Sequence, residues 1–218
     1  MQNSRDFNRE IRDECVKLKH SLIQSDEYVK VTADSKQKRN GRDRNMDLYV
    51  QLARKTVETY IRDRKIYEPQ PEELTEEMKN GRAGAFVSIH ENGDLRGCIG
   101  TIAPVQKALY LEIIANAISA STRDPRFPPI TKNELPDLEI SVDVLGEAEE
   151  IPSEDYLDVK RYGVIVSKGR RRGLLLPDLE GVDNVETQVA IAKMKAGIRE
   201  EDTDVVLERF EVIRHEEK

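Results

Sequence analysis

The chain has 218 residues, 35% of them charged and 38% hydrophobic, with a formal net charge of −7. That length is enough for one large domain or two small ones with a proper core. No apolar run approaches the ~18 residues a membrane span needs. The opening Met1-Gln-Asn-Ser-Arg-Asp-Phe7 lacks the apolar centre of a signal peptide, so a reducing cytoplasmic compartment is expected. The charge is uneven: residues 1–45 hold 11 Lys and Arg against 8 Asp and Glu, the rest 24 against 34. An acidic body with local basic tips suits a small anionic ligand better than a long duplex. Cys15 and Cys98 match no metal-ligand spacing, and no metal or cofactor is implied.

Phe7, Ile11, Cys15, Leu18 and Leu22 recur at helical spacing and predict an amphipathic helix over about residues 4–24. Residues 36–45 contain no apolar side chain; they read as a solvated linker, with an RNA-contacting arm as the alternative. Residues 1–45 are therefore an N-terminal amphipathic helix plus basic linker, and residues 46–218 the main α+β domain. Leu48, Leu52, Val57, Tyr60 and Ile61 predict its first helix. The stretch Tyr67-Glu-Pro-Gln-Pro71 is extended, and residues 72–79 are a short helix or an acidic loop.

Residues 84–100 predict a β-hairpin turning at Asn92-Gly93. Its second strand carries Gly97 and Gly100 around Arg96 and Cys98, and glycines inside a strand signal a bulge or a close approach by another backbone. After the hairpin, Pro104 is expected in the first turn of a helix that buries Val105, Leu109, Ile113, Ala117 and Ile118. It stops before the proline-stiffened Asp124-Pro-Arg-Phe-Pro-Pro129. Leu138, Ile140, Val142 and Val144 alternate with polar residues, as in a half-buried antiparallel strand. A second hairpin spans residues 162–176 with Lys168-Gly-Arg-Arg-Arg172 at its tip. Asp183 and Glu186 form a capping box for a last helix ended by Gly197, and a final strand covers about 205–213. Two hairpins, each followed by a helix and a strand, suggest an internal duplication.

Several of these stretches resemble one family. Residues 95–101, Leu-Arg-Gly-Cys-Ile-Gly-Thr, and residues 124–129 look like signatures of the AMMECR domain, protein A of the AmmeMemoRadiSam system. Gly84-Ala-Phe-Val87, Ile140-Ser-Val142, Leu174-Leu-Leu-Pro177 and Lys195-Ala-Gly197 follow in the right order. The resemblance covers about residues 46–213. It implies an α+β fold with a mainly antiparallel, partly barrel-like sheet in a larger and a smaller lobe. It also implies association with a Memo-type protein and a radical-SAM protein, and no settled activity. Where the family often has Trp-Asp before the last helix, this chain has Val182-Asp183.

Cys98 is the sharpest candidate for chemistry, because a thiolate beside a cation is a capable nucleophile. Arg96, two residues earlier on the same strand, is expected on the same face. Two hairpin registers are open. With a two-residue turn, His90 opposes Leu95, Val87 opposes Cys98, and His90 and Cys98 lie on opposite faces. With a bulge at Gly93, His90, Ser88, Arg96 and Cys98 share one face. Gly97, Asp124 and Arg126 complete a candidate anion-binding loop. Lys168 and Arg170 at the second hairpin tip are candidates for phosphate contacts, RNA included. Two functions fit these residues: a binding or scaffold module with Memo-type, radical-SAM or RNA partners, and an enzyme using Cys98 with Arg96 on a small anionic substrate.

Overall fold

The computed structural model describes residues 47–179 and 181–217. The predicted N-terminal helix and basic linker lie outside the described residues. Helix α1 (Leu48–Asp63) opens the domain, N-capped by the Asp47 carboxylate, which accepts from the Tyr49 amide. A 3₁₀ turn (Pro71–Glu73) and a short α2 (Glu76–Asn80) fill the acidic stretch after it.

The first hairpin, β1 (Ala85–Glu91) and β2 (Asp94–Gly100), is followed by α3 (Leu109–Thr122) and β3 (Leu138–Leu145). The second, β5 (Gly163–Lys168) and β6 (Arg171–Leu175), is followed by α4 (Val185–Ala196) and β7 (Val206–Phe210). These are two copies of one unit, hairpin then helix then strand. Their central strands occur in the corresponding orders β2-β1-β3 and β6-β5-β7. Each sheet is then completed by a strand that follows the other unit. The short β4 (Glu149–Ile151) leaves β3 to pair with β7, and β8 (Val212–Glu216) leaves β7 to pair with β3.

The result is two antiparallel four-stranded sheets packed face to face, β2-β1-β3-β8 and β4-β7-β5-β6, which do not close into the partly barrel-like sheet expected from the sequence. Helices cover the outer faces. Val87 and Ile89 of β1 pack with Ile113, Ile114 and Ala117 of α3, and α1 packs beside them. Val164, Val166 and Leu175 pack with Val189 and Ala192 of α4. Between the sheets, Phe86 and Val212 meet Ile165, Leu174 and Phe210. Strand alternation sorts each hairpin's apolar residues into these two layers.

Four local expectations are corrected. Helix α3 starts at Leu109, not Pro104, because the buried Glu112 carboxylate accepts from the amides of Val105 and Gln106 and holds that segment as a loop. Val105 is accordingly exposed. The cap of α4 is Asn184, whose side chain accepts from the Thr187 amide, rather than Asp183. The single final strand is two, broken at Glu211 where the chain changes sheets. Strand β4 was not foreseen.

The strand glycines mark close backbone approach. A Cβ on Gly97 would lie 2.3 Å from the Ala120 carbonyl oxygen of α3, and one on Gly173, at the corresponding place in β6, 2.1 Å from that of Ala192 in α4. Each helix therefore rests on the edge strand of its own hairpin. Gly97→Ala and Gly173→Ala are each expected to cost about 1–3 kcal/mol by overpacking, read as a lower urea midpoint with an unchanged slope.

Candidate functional site

The hairpin register decides what meets the space between the sheets. The turn follows the two-residue form: Asn92 and Gly93 have φ of 53° and 86°, Glu91 opposes Asp94, and His90 opposes Leu95. The register then shifts, so that Ile89 opposes Gly97 and Ser88 opposes Cys98. Arg96 is the extra residue of this bulge. Cys98 and His90 consequently share the inner face, as the bulged register predicts, although the turn itself is the two-residue form and the bulge lies at Arg96 instead of Gly93. Arg96 does not share it, contrary to the sequence expectation: its Nε donates to Glu134 Oε1 at 2.7 Å and its Nη1 to the Pro128 carbonyl at 2.9 Å.

The inner face borders a cleft of about 640 Å³. One wall is the first sheet, where register places Cys98, Ser88, Ser141 and Glu216 in one row across β2, β1, β3 and β8. Gly100, Phe86, Asp143 and Arg214 form the next row. The other wall is β6 and the segment after it, Arg172 to Leu176 with Leu179. Arg126 and Lys195 complete the lining from the 124–129 loop and the last turn of α4. The floor is apolar, and the polar groups stand on its rim and along one wall.

Asp124 organises the loop. Its side chain is 2% exposed, and its carboxylate accepts from the Cys98 amide at 2.9 Å, standing in for a neighbouring strand at the sheet edge. The same carboxylate receives Arg126 through Nε at 2.9 Å and Nη2 at 2.7 Å, a fork-on-fork pair. Those hydrogen bonds from Arg126 pull the Asp124 pKa down to about 2. Arg126 also reaches the Cys98 carbonyl at 3.4 Å.

The Cys98 sulfur lies 3.3 Å from Ser88 Oγ. Burial pushes its pKa up, and the Ser88 hydrogen bond and the Arg126 charge offset that only in part. The resting group is a thiol. Lys195 is an exposed residue at the cleft rim, and its pKa tends the other way: partial desolvation of the amine lowers it, Cys98 opposes that, and Arg126 adds to the lowering. Among the cations on the cleft, Arg126 is paired with Asp124, Arg172 with Glu208 and Arg214 with Asp143. Lys195 has no carboxylate partner among the described residues.

The structure thus brings Cys98 and Arg126 to one site, with Asp124 behind them and Gly97 turned to α3. It places Arg96 outside, and of the hairpin tip only Arg172 lines the cleft. At that tip Lys168 bridges Asp202 and Asp204, Arg171 donates to the Gly197 carbonyl, and Arg170 is exposed. Sequence reasoning missed Lys195 as a site residue, along with Ser141, Asp143 and Arg214. Ser141 and Asp143 were visible as the polar members of β3's alternation. Lys195 carried no signal beyond its place in Lys195-Ala-Gly197.

Residues 50–215 match the AMMECR1 family. The chain belongs to the AMMECR1 family. A protein of Thermotoga maritima is 54% identical over 168 residues, 77% of this chain and 96% of that protein. A Clostridium acetobutylicum protein is 50% identical over 171 residues, 78% of this chain and 36% of that protein, so the chain spans about a third of that relative's length. The crystal structure of an uncharacterized Pyrococcus horikoshii protein superimposes with a TM-score of 0.70 at 32% identity, covering 76% of this chain and 88% of that one. Within this AMMECR1-family chain, all six segments that carry the resemblance converge on the cleft, through Phe86, Cys98, Arg126, Ser141, Leu174 to Leu176, and Lys195. Among the described residues no helix is long and apolar enough to cross a membrane.

The Asp124 pair has a pH signature. Because its folded pKa lies below the ordinary 3.8, its stabilisation is present above that value and is lost as pH falls toward 2. Arg126 is half exposed, so the contribution is discounted to about 1–2 kcal/mol. Asp124→Asn is expected to lower stability by that amount at pH 7, with the gap to the parent closing between pH 4 and pH 2 in urea titrations.

Proposed function

We propose that this AMMECR1-family chain is a binding module for a small ligand with an anionic group and an apolar body, held in the cleft between the two sheets. The observation that carries this reading is the convergence of segments far apart in sequence on one cleft lined by Arg126, Arg172, Arg214 and Lys195 over a leucine floor. Small-molecule sites combine a mostly apolar wall with a few placed polar groups, and guanidinium forks suit carboxylate or phosphate. As the resemblance implies, the module would act with Memo-type and radical-SAM proteins; purified together, the three are expected to co-elute in size-exclusion chromatography, and separate elution at micromolar concentration counts against that assembly.

RNA fits less well than a small ligand. The basic tip is largely neutralised by Asp202, Asp204 and Glu208, and few aromatic residues stand ready for base stacking. The alternative of a Cys98 nucleophile activated by Arg96 loses its cation to Glu134, and a thiol held protonated by burial is better suited to lining a wall.

Cys98 reports on the cleft. In a Cys15→Ser background, iodoacetamide is expected to modify Cys98 slowly at pH 7.5, with the rate rising only above the ordinary thiol range. Benzoate or phosphate is expected to protect it, and Arg126→Gln to weaken that protection about fivefold or more. Fast alkylation that no anion slows would overturn the binding reading.

A further inference from the structure

The two walls of the cleft differ in what they present. From the first sheet the lining residues are alternate ones, Phe86, Ser88 and His90 on β1 and Ser141 and Asp143 on β3, so that sheet meets the cleft with its face. From β6 they are consecutive, Arg172 through Leu176. Successive side chains of a strand point to opposite faces, so the cleft runs along the edge of β6, which is the outermost strand of its sheet. The β5–β6 register continues without a shift from Lys168 opposite Arg171 to Val164 opposite Leu175. With this two-residue turn, Arg171, Gly173 and Leu175 bond β5, and the N–H and C=O groups of Arg172 and Leu174 point away from it. Among the described residues those outward groups have no hydrogen-bond partner.

The other unit closes the same edge. Cys98 and Leu174 each follow the glycine on which a helix rests, but β2 is interrupted by the Arg96 bulge, and the Asp124 carboxylate takes the Cys98 amide. Both features blunt an edge strand, and among the described residues β6 has neither. We infer that a short acidic peptide segment of a partner protein adds to β6 as a fifth strand, lying over the inner face of the first sheet. The inference rests on the ligand-binding reading above and names the ligand: its apolar body and anionic group are side chains of one extended strand. Main-chain hydrogen bonds to Arg172 and Leu174 supply affinity, and side-chain contacts supply selectivity. Charge selects an acidic residue. The Arg126 side chain is 54% exposed and that of its partner Asp124 2%, and Arg172 is likewise more exposed than Glu208, so the guanidinium groups face the incoming strand with their carboxylates behind them. In antiparallel addition the acidic residue comes last, at the Arg172 end, and an apolar one comes first, beside Leu176, Leu179 and Ile102.

The test uses the whole chain and the pentapeptide acetyl-Leu-Thr-Val-Thr-Glu, with hydrogen exchange read at single amides by NMR. In the free protein the Arg172 and Leu174 amides are expected to exchange faster than those of Gly173 and Leu175. Saturating peptide should slow the first two at least about tenfold and leave the second two unchanged. The same peptide N-methylated throughout, which has no N–H to give the outward carbonyls, should bind at least about tenfold more weakly. Replacing its Glu by Gln, with the terminus amidated, should weaken binding about fivefold. Arg172 and Leu174 amides that are already slow in the free protein mean that a second copy or another segment of the chain holds the edge, and the inference falls. If benzoate shields Cys98 from iodoacetamide but the peptide protects neither amide, strand addition is overturned and the cleft reading stands. If neither ligand has an effect, both are overturned.

Discussion

One inserted residue in the second strand decides which chemistry faces the centre of this protein. The bulge at Arg96 rotates every residue after it by one position relative to β1. It delivers Cys98 to the inner face opposite Ser88, and it sends Gly97 outward onto α3 and Arg96 sideways to Glu134. Without it Cys98 would oppose Val87 and sit in the hydrophobic layer under the helix. The Asp124 carboxylate holds the bulged strand by capping the Cys98 amide, and the same carboxylate orients Arg126. The loop and the strand are therefore one mechanical unit.

The duplicated architecture explains why the cleft lies where it does. Each hairpin–helix–strand unit buries one face of its sheet under its own helix, leaving the other face needing cover. The two units cover each other, and the exchange of β4 and β8 ties them together. Packing is tight where Phe86, Ile165, Leu174 and Phe210 meet. It opens where the first sheet presents thiol, hydroxyl and charged groups in place of large apolar side chains. Polar groups with partners already chosen, such as the buried Asp143 paired with Arg214, line that opening without collapsing it.

The electrostatics divide the cleft's cations into two kinds. Arginines bound to buried or half-buried carboxylates are rigid, permanently charged and geometrically specific. A lysine lacking such a partner changes its protonation with its surroundings. Both kinds line the cleft together with the Cys98 thiol. The hairpin tip, by contrast, spends its charges on Asp202, Asp204 and Glu208 and stabilises the second unit.

Much of the fold was legible in the sequence because local pattern determines it. The helical spacing of Leu48 to Ile61, the Asn92-Gly93 turn, the alternation in β3, the αL stop at Gly197 and the repeated hairpin–helix–strand order all stand. The glycines around Cys98 signal a bulge or a close approach, and the structure has both. The bulge's position was not legible, since it follows from where α3 presses on Gly97 and where Asp124 meets the edge strand, contacts made across 23 and 26 residues of chain. For the same reason Arg96 was assigned to the site and Lys195 was not. Sequence spacing places residues on a face, but only the packing of the two sheets and their helices decides which faces meet and which cation is left without an anion.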